Sequence, residues 1–341
     1  MMKKFLSRIK PYVRWMILGA TLFFLVGAFK QNWAEVSKIE VTQTGWGLIA
    51  LSLIVTILAH LWSGQIWLLT LKEFKQPIQN RWGLQVYLKT NIAKYLPGNV
   101  WHFYGRIMTV NQAGVSIGAA SLSVLLEPLL MASAALLIAL VNAQQNHLAL
   151  QLISLFIVLV GVHPRILNPV IKQFRKMKLK GQNPQLIAAG GFKIDRYPLK
   201  PFLGQIGFVV LRSLGFILAV LALTSVQWQQ IPILLSSFSL AWLLGLIIPG
   251  APGGIGIFEA TALTLLDQQF SPAILLSAVA FYRLVSVLAE ASGALYAVFD
   301  ERFLSPTSIK SPLMFEPLHA SMTTTQTSTS FREEQLAKAR K

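Results

Sequence analysis

The sequence predicts an all-α, polytopic integral membrane protein with about six full transmembrane helices plus two broken re-entrant segments, arranged as an inverted repeat. Three observations predict it. First, the 341 residues are 54% apolar and 13% charged, with a positive mean hydropathy; that composition belongs to a bundle of spans and not to a pair of soluble domains. Second, the Lys and Arg residues fall mainly between the apolar runs, so the formal charge of +17 reads as membrane topology and not as a nucleic-acid surface. Third, the stretch Leu246 to Glu259 is too rich in Pro and Gly to continue a helix, yet its flanks are as apolar as a span. It has an earlier echo. Pro97-Gly98-Asn99-Val100 and Phe103 match Pro252-Gly253-Gly254-Ile255 and Phe258 at an offset of 252 − 97 = 155 residues, the mark of an internal duplication.

Taken in order, Lys3, Lys4, Arg8, Lys10 and Arg14 precede Trp15 to Phe29, which reads as a retained first helix with its N-terminus inside. The loop Lys30 to Gly45 balances Lys30 and Lys38 against Glu35 and Glu40, as an outer face tolerates. Trp46 to Leu71 crosses back to a side where Lys72, Lys75, Arg81, Lys89, Lys94 and Arg106 oppose only Glu73. Trp82 to Met108 is amphipathic and broken at Pro97-Gly98; it either dips into the membrane and returns, which the re-entrant reading adopts, or lies in the interface. Ile117 to Val141 is a span, and Leu148 to Val162 is a short one. The most basic loop, His163 to Lys200, follows, with nine Lys or Arg residues against Asp195. Phe202 to Thr224 crosses outward, Pro232 to Phe270 forms the second bent segment, and Pro272 to Phe299 crosses inward.

Every loop then obeys the positive-inside rule, with both termini cytoplasmic and the protein in the cell membrane. Residues 1–303 form the transmembrane domain, half one about 12–141 and half two about 148–299, and 304–341 a disordered cytoplasmic tail. Three crossings separate the two bends, so the halves have opposite orientations, an architecture of many secondary transporters.

Ionisable residues inside spans cost about 2.5 to 3.5 kcal/mol each at a helix centre and demand partners or a function. Glu127, followed by Pro128, is either a hydrogen-bonded structural glutamate or part of a substrate or proton path. Arg212 either pairs with a buried carboxylate or contacts a lipid phosphate. Arg283 and Glu290 are seven residues apart on one helix and should seek partners on other helices. The helix dipole is a sufficient structural reason for Glu259, although its place beside the bend makes it a candidate. His60 and His102 read as packed or hydrogen-bonded. The five histidines are scattered and there is no cysteine, so no metal site, disulfide or cofactor is expected. Gly254-Ile255-Gly256 lacks the strand and third glycine of a nucleotide loop.

Pro252-Gly253-Gly254-Ile255-Gly256-Ile257-Phe258-Glu259, together with Glu127 and Tyr282-Arg283, resembles the signatures of the family of lysylphosphatidylglycerol synthase transmembrane regions, over about residues 10 to 300. The resemblance implies an integral membrane protein handling lipids, flippase-like in some members. Only a short tail follows Phe299, where larger members carry a soluble aminoacyl-transferase domain, so aminoacyl transfer and enzyme activity are not expected. The expected site gathers Pro97, Gly98, Asn99, Arg106, Glu127, Arg212, Pro252, Gly253, Gly254, Gly256, Glu259, Tyr282, Arg283 and Glu290 around an anionic or phosphate-bearing membrane lipid. Free N–H groups at the half-helix starts and the three arginines would bind its phosphate. Two other readings remain: an accessory subunit or membrane-embedded enzyme of lipid or polyprenyl-phosphate sugar metabolism, with a glycosyltransferase or lipid synthase as partner, and an ion-coupled transporter of a small solute.

Overall fold

The computed structural model describes residues 26–27, 30–76, 78–95, 100–142, 145–169, 194, 196–248, 254 and 256–304. The principal helices are α1 (Gln43–Glu73), α2 (Asn80–Asn91), α3 (Trp101–Gln112), α4 (Ile117–Ala139), α5 (Gln145–Gly161), α6 (Leu199–Leu221), α7 (Ile231–Ile247), α8 (Ile257–Leu266) and α9 (Pro272–Phe299). Short helical stretches also cover 30–36, inside the expected outer loop, and 164–169. The long helices start where the sequence provides caps. Thr42 accepts from the Gly45 N–H at 3.1 Å, and the Ser116 and Ser271 hydroxyls accept from the third residue on, with Pro272 as the first helical residue of α9.

The protein is an all-α, polytopic membrane protein. Among the described residues, five helices are long and apolar enough to cross a bilayer: Gln43–Glu73, Ile117–Asn142, Leu199–Leu221, Trp228–Ile247 and Pro272–Phe303. The expected first span, Trp15 to Phe29, lies outside the described residues apart from 26–27, as do the middle of the basic loop and the tail. Two segments differ from expectation. Helix α5, at 17 residues, rises only about 26 Å, less than the roughly 30 Å hydrocarbon core. Helix α7, expected as one limb of a bend, reaches crossing length because the turn Trp228–Gln230 runs into it.

Even so, α8 packs back against α7. Leu234 and Phe238 of α7 share an apolar cluster with Phe258, Ala262 and Leu266 of α8, and Gly245 lies against Gly254 at the tip. Helices α2 and α3 form the equivalent hairpin, with Gly105 beside Thr90. The hairpins enter from opposite ends of α9. At its C-terminal end, Asp300 accepts from Arg81 Nε at 2.8 Å and from Gln85 at 2.6 Å, and Lys89 pairs with Glu301. The bonded carboxylate holds the Arg81 guanidinium above its ordinary pKa range. At the N-terminal end, Leu275 and Ala278 join the cluster of Leu234, Leu266 and Phe270.

The packing repeats under an exchange of halves. Swapping α1 with α6, α2 with α7, α3 with α8 and α4 with α9 turns each packed pair among these eight helices into another packed pair: α2 against α9 becomes α7 against α4, and α1 against α9 becomes α6 against α4. Helices α1 and α6 pack against each other and exchange places. The helix starts are offset by between 231 − 80 = 151 and 199 − 43 = 156 residues, which brackets the spacing of the two Pro-Gly bends. The inverted repeat is therefore present in the packing as well as in the sequence.

Candidate functional site

The hairpin tips meet in a cavity of about 650 Å³ near the middle of α9, a volume in the ordinary range for ligand pockets. Its polar wall carries His60, Lys94, Arg106, Glu127, Arg212, Arg283 and Glu290. Its apolar wall includes Leu129, Val158, Trp242 and Ile247. Leu129 and Ile247 are 40% and 57% exposed, and Val100, also on the lining, is 55% exposed, so the cavity has an apolar rim on the outer surface of the bundle.

Two of the carboxylates are clamps. Arg106, fully buried on α3, donates to Glu127 on α4, whose other oxygen accepts from Tyr87 at 2.7 Å. The Arg106 guanidinium stacks 4.0 Å over the Tyr87 ring and 5.1 Å from that of Trp67. The second half holds the reciprocal pair: Arg283 of α9 donates to Glu259 of α8 and, at 2.9 Å, to the Gly254 carbonyl. Each clamp ties the returning helix of a hairpin to the long helix that follows it. Guanidinium and carboxylate have exchanged places between the halves.

Glu259 also accepts from the Gly256 N–H. A carboxylate of the protein thus occupies the start of α8, where a ligand anion was expected, and Glu259 is not among the cavity-lining residues. The bend glycines have a conformational task as well. Gly256 caps α8 at φ +89°, and Gly254 has φ +71°. A Cβ on Gly254 would lie 2.9 Å from the Gly245 carbonyl oxygen, a contact with backbone that cannot give way. Pro97, Gly98, Asn99, Pro252 and Gly253 lie outside the described residues.

The centre is built differently. Glu290 accepts from Lys94 at 2.5 Å through Oε1, which also lies 3.3 Å from His60 Nε2. Arg283 and Glu290 thus take partners from other helices, as their spacing requires. The same His60 nitrogen is 3.3 Å from Arg212 Nη1. One ring nitrogen cannot serve both: protonated, it donates to Glu290 and leaves Arg212 without an acceptor; unprotonated, it accepts from Arg212. Arg212 is held by Tyr282, whose hydroxyl donates to the Arg212 backbone carbonyl at 3.2 Å and whose ring lies 5.2 Å from the guanidinium. Among the described residues Arg212 makes no ion pair, although it is 93% buried, and its Nε has no partner. The Glu290 Oε2 is likewise buried and unbonded.

The structure thus brings together Arg106, Glu127, Arg212, Gly254, Tyr282, Arg283 and Glu290 of the expected set, and adds His60, Tyr87 and Lys94. Lys94 had a signal. It stands three residues before Pro97 in an otherwise apolar and aromatic stretch, but as one of many basic residues on that side it reads as a topological charge. No group of three or more His, Asp or Glu side chains is placed to hold a metal ion among the described residues. No protein-family model and no curated protein matches the sequence.

Proposed function

We propose that the protein moves a phosphate-bearing lipid between the leaflets of the cell membrane, with both termini in the cytoplasm. The observation that carries this reading is Arg212: a buried guanidinium without an ion pair among the described residues, on the wall of a cavity that also has an apolar, exposed rim. A buried cation without a counter-charge is costly in a low-dielectric interior, and a phosphate oxygen restores the balance. The apolar rim suits acyl chains that stay in the bilayer while the head group sits at Arg212. A small solute would need no such rim, which favours a lipid over the ion-coupled solute reading. Two hairpins entering from opposite ends supply the two related access states of alternating access. The sequence resemblance to the lysylphosphatidylglycerol synthase transmembrane regions points the same way.

The test is leaflet-resolved movement of fluorescent phosphatidylglycerol in proteoliposomes. A charge-assisted hydrogen bond contributes about 1.5 to 3 kcal/mol. Arg212→Gln should therefore slow movement by about tenfold or more while the purified protein keeps its melting temperature. Movement at the parental rate by a folded Arg212→Gln protein would overturn the proposal.

A further inference from the structure

The ion pairs around the cavity can be counted, and the count is uneven. Arg106 is matched by Glu127, Arg283 by Glu259 and Lys94 by Glu290. Arg212 forms no ion pair among the described residues; it lies beside the His60 imidazole and the Tyr282 ring, within electrostatic reach of the Glu290 carboxylate that Lys94 already pairs. With His60 and His102 neutral, the polar wall and its clamps carry a single positive charge among the described residues, and that charge is at Arg212.

We infer that the site is selective for a head group carrying one negative charge, a phosphodiester with no further ionised group, over phosphomonoester and pyrophosphate lipids. This inference rests on the reading of the cavity as a lipid-phosphate site. A monoanion brings the buried assembly to neutrality. A dianion leaves one negative charge in excess among walls that screen it poorly, and a zwitterion leaves the Arg212 charge uncancelled unless its amine stays outside. The three existing pairs oppose any adjustment, because a second negative charge could recruit Lys94 only by stripping Glu290 of its cation, while the Glu290 Oε2 is already buried without a partner. Geometry agrees with the count. Arg212 is the one described cation on the wall without an ion-paired carboxylate, and Tyr282 bonds its backbone carbonyl while its ring lies 5.2 Å from the guanidinium. One guanidinium presents a fork that two phosphodiester oxygens can occupy.

The experiment measures competition between short-chain phosphatidylglycerol and phosphatidic acid for the detergent-solubilised protein at about pH 8.5, where the monoester carries two charges. The parent should prefer phosphatidylglycerol by about tenfold or more. Glu290→Gln releases Lys94, raises the site to two positive charges and should shift the ratio by at least that factor towards phosphatidic acid. The double variant Lys94→Met/Glu290→Gln restores a single charge and should return the parental preference, so an effect of lost structure is distinguished from an effect of charge. Arg212→Gln, with no net charge, should lose the preference for either anion over phosphatidylethanolamine. Equal or tighter binding of phosphatidic acid by the parent, or a ratio that Glu290→Gln leaves unmoved, overturns the charge rule while leaving the lipid reading intact. Soluble glycerophosphoglycerol gives the converse: if it binds as tightly as the acylated lipid, the occupant is not a lipid although the charge rule stands. An Arg212→Gln protein that binds every lipid as the parent does removes the site itself.

Discussion

Gly254 shows how one residue can be legible in a sequence for one reason and held in the structure by a second. A glycine beside a membrane bend invites a ligand to approach the backbone, and from sequence alone a side chain there would obstruct the ligand before it disturbs the fold. The conformation reverses that order. At φ +71° and against the Gly245 backbone, Gly254 is required for the hairpin to close. Gly254→Leu should lower the detergent melting temperature first, with lipid movement falling only in proportion to the folded fraction; strain at such a backbone position costs about 1 to 3 kcal/mol before the collision with Gly245 is added. A Leu variant that melts with the parent yet moves no lipid would restore the ligand-approach reading. Arg212 is the opposite case: the sequence leaves it open between a carboxylate and a phosphate, and the described contacts supply no carboxylate.

At the scale of elements, the two clamps are what seat the hairpins. Replacing one partner of a buried ion pair such as Arg106–Glu127 costs about 3 to 5 kcal/mol, the partly exposed Arg283 makes the second clamp worth less, and each clamp serves a different hairpin. Glu127→Gln should raise amide hydrogen exchange in α3 and leave α8 protected, whereas Glu259→Gln should open α8 and leave α3 protected. Exchange spreading equally through both hairpins in either variant would show that the clamps are not local. Much of this level was readable beforehand. Hydropathy marks the long helices to within a few residues, and the Pro-Gly bends mark where helices cannot continue. The pairings were not readable. Arg106 and Glu127, or Glu259 and Arg283, sit on different helices more than twenty residues apart, and hydropathy carries no information on which helices touch. For the same reason Lys94, His60 and Tyr87 could not be gathered into one site before the tips of the hairpins were brought together.

For the whole molecule, loop charge and internal symmetry agree. Exposed Gln229, between α6 and α7, lies in a loop without fixed charge, and the most basic loop precedes α6. Because the chain has no cysteine, Gln229→Cys should react with an impermeant thiol reagent from outside the cell and Lys178→Cys only after permeabilisation; the reverse pattern would invert the orientation. At the 155-residue offset, Glu127 aligns with Tyr282 and Arg106 with Thr261, while Glu259 and Arg283 align with Tyr104 and Pro128. At 156 residues, the offset of α3 to α8, Glu127 falls on Arg283 instead. Each half thus fastens its returning helix with one arginine and one glutamate, and the repeat reverses which of the two helices bears the positive end.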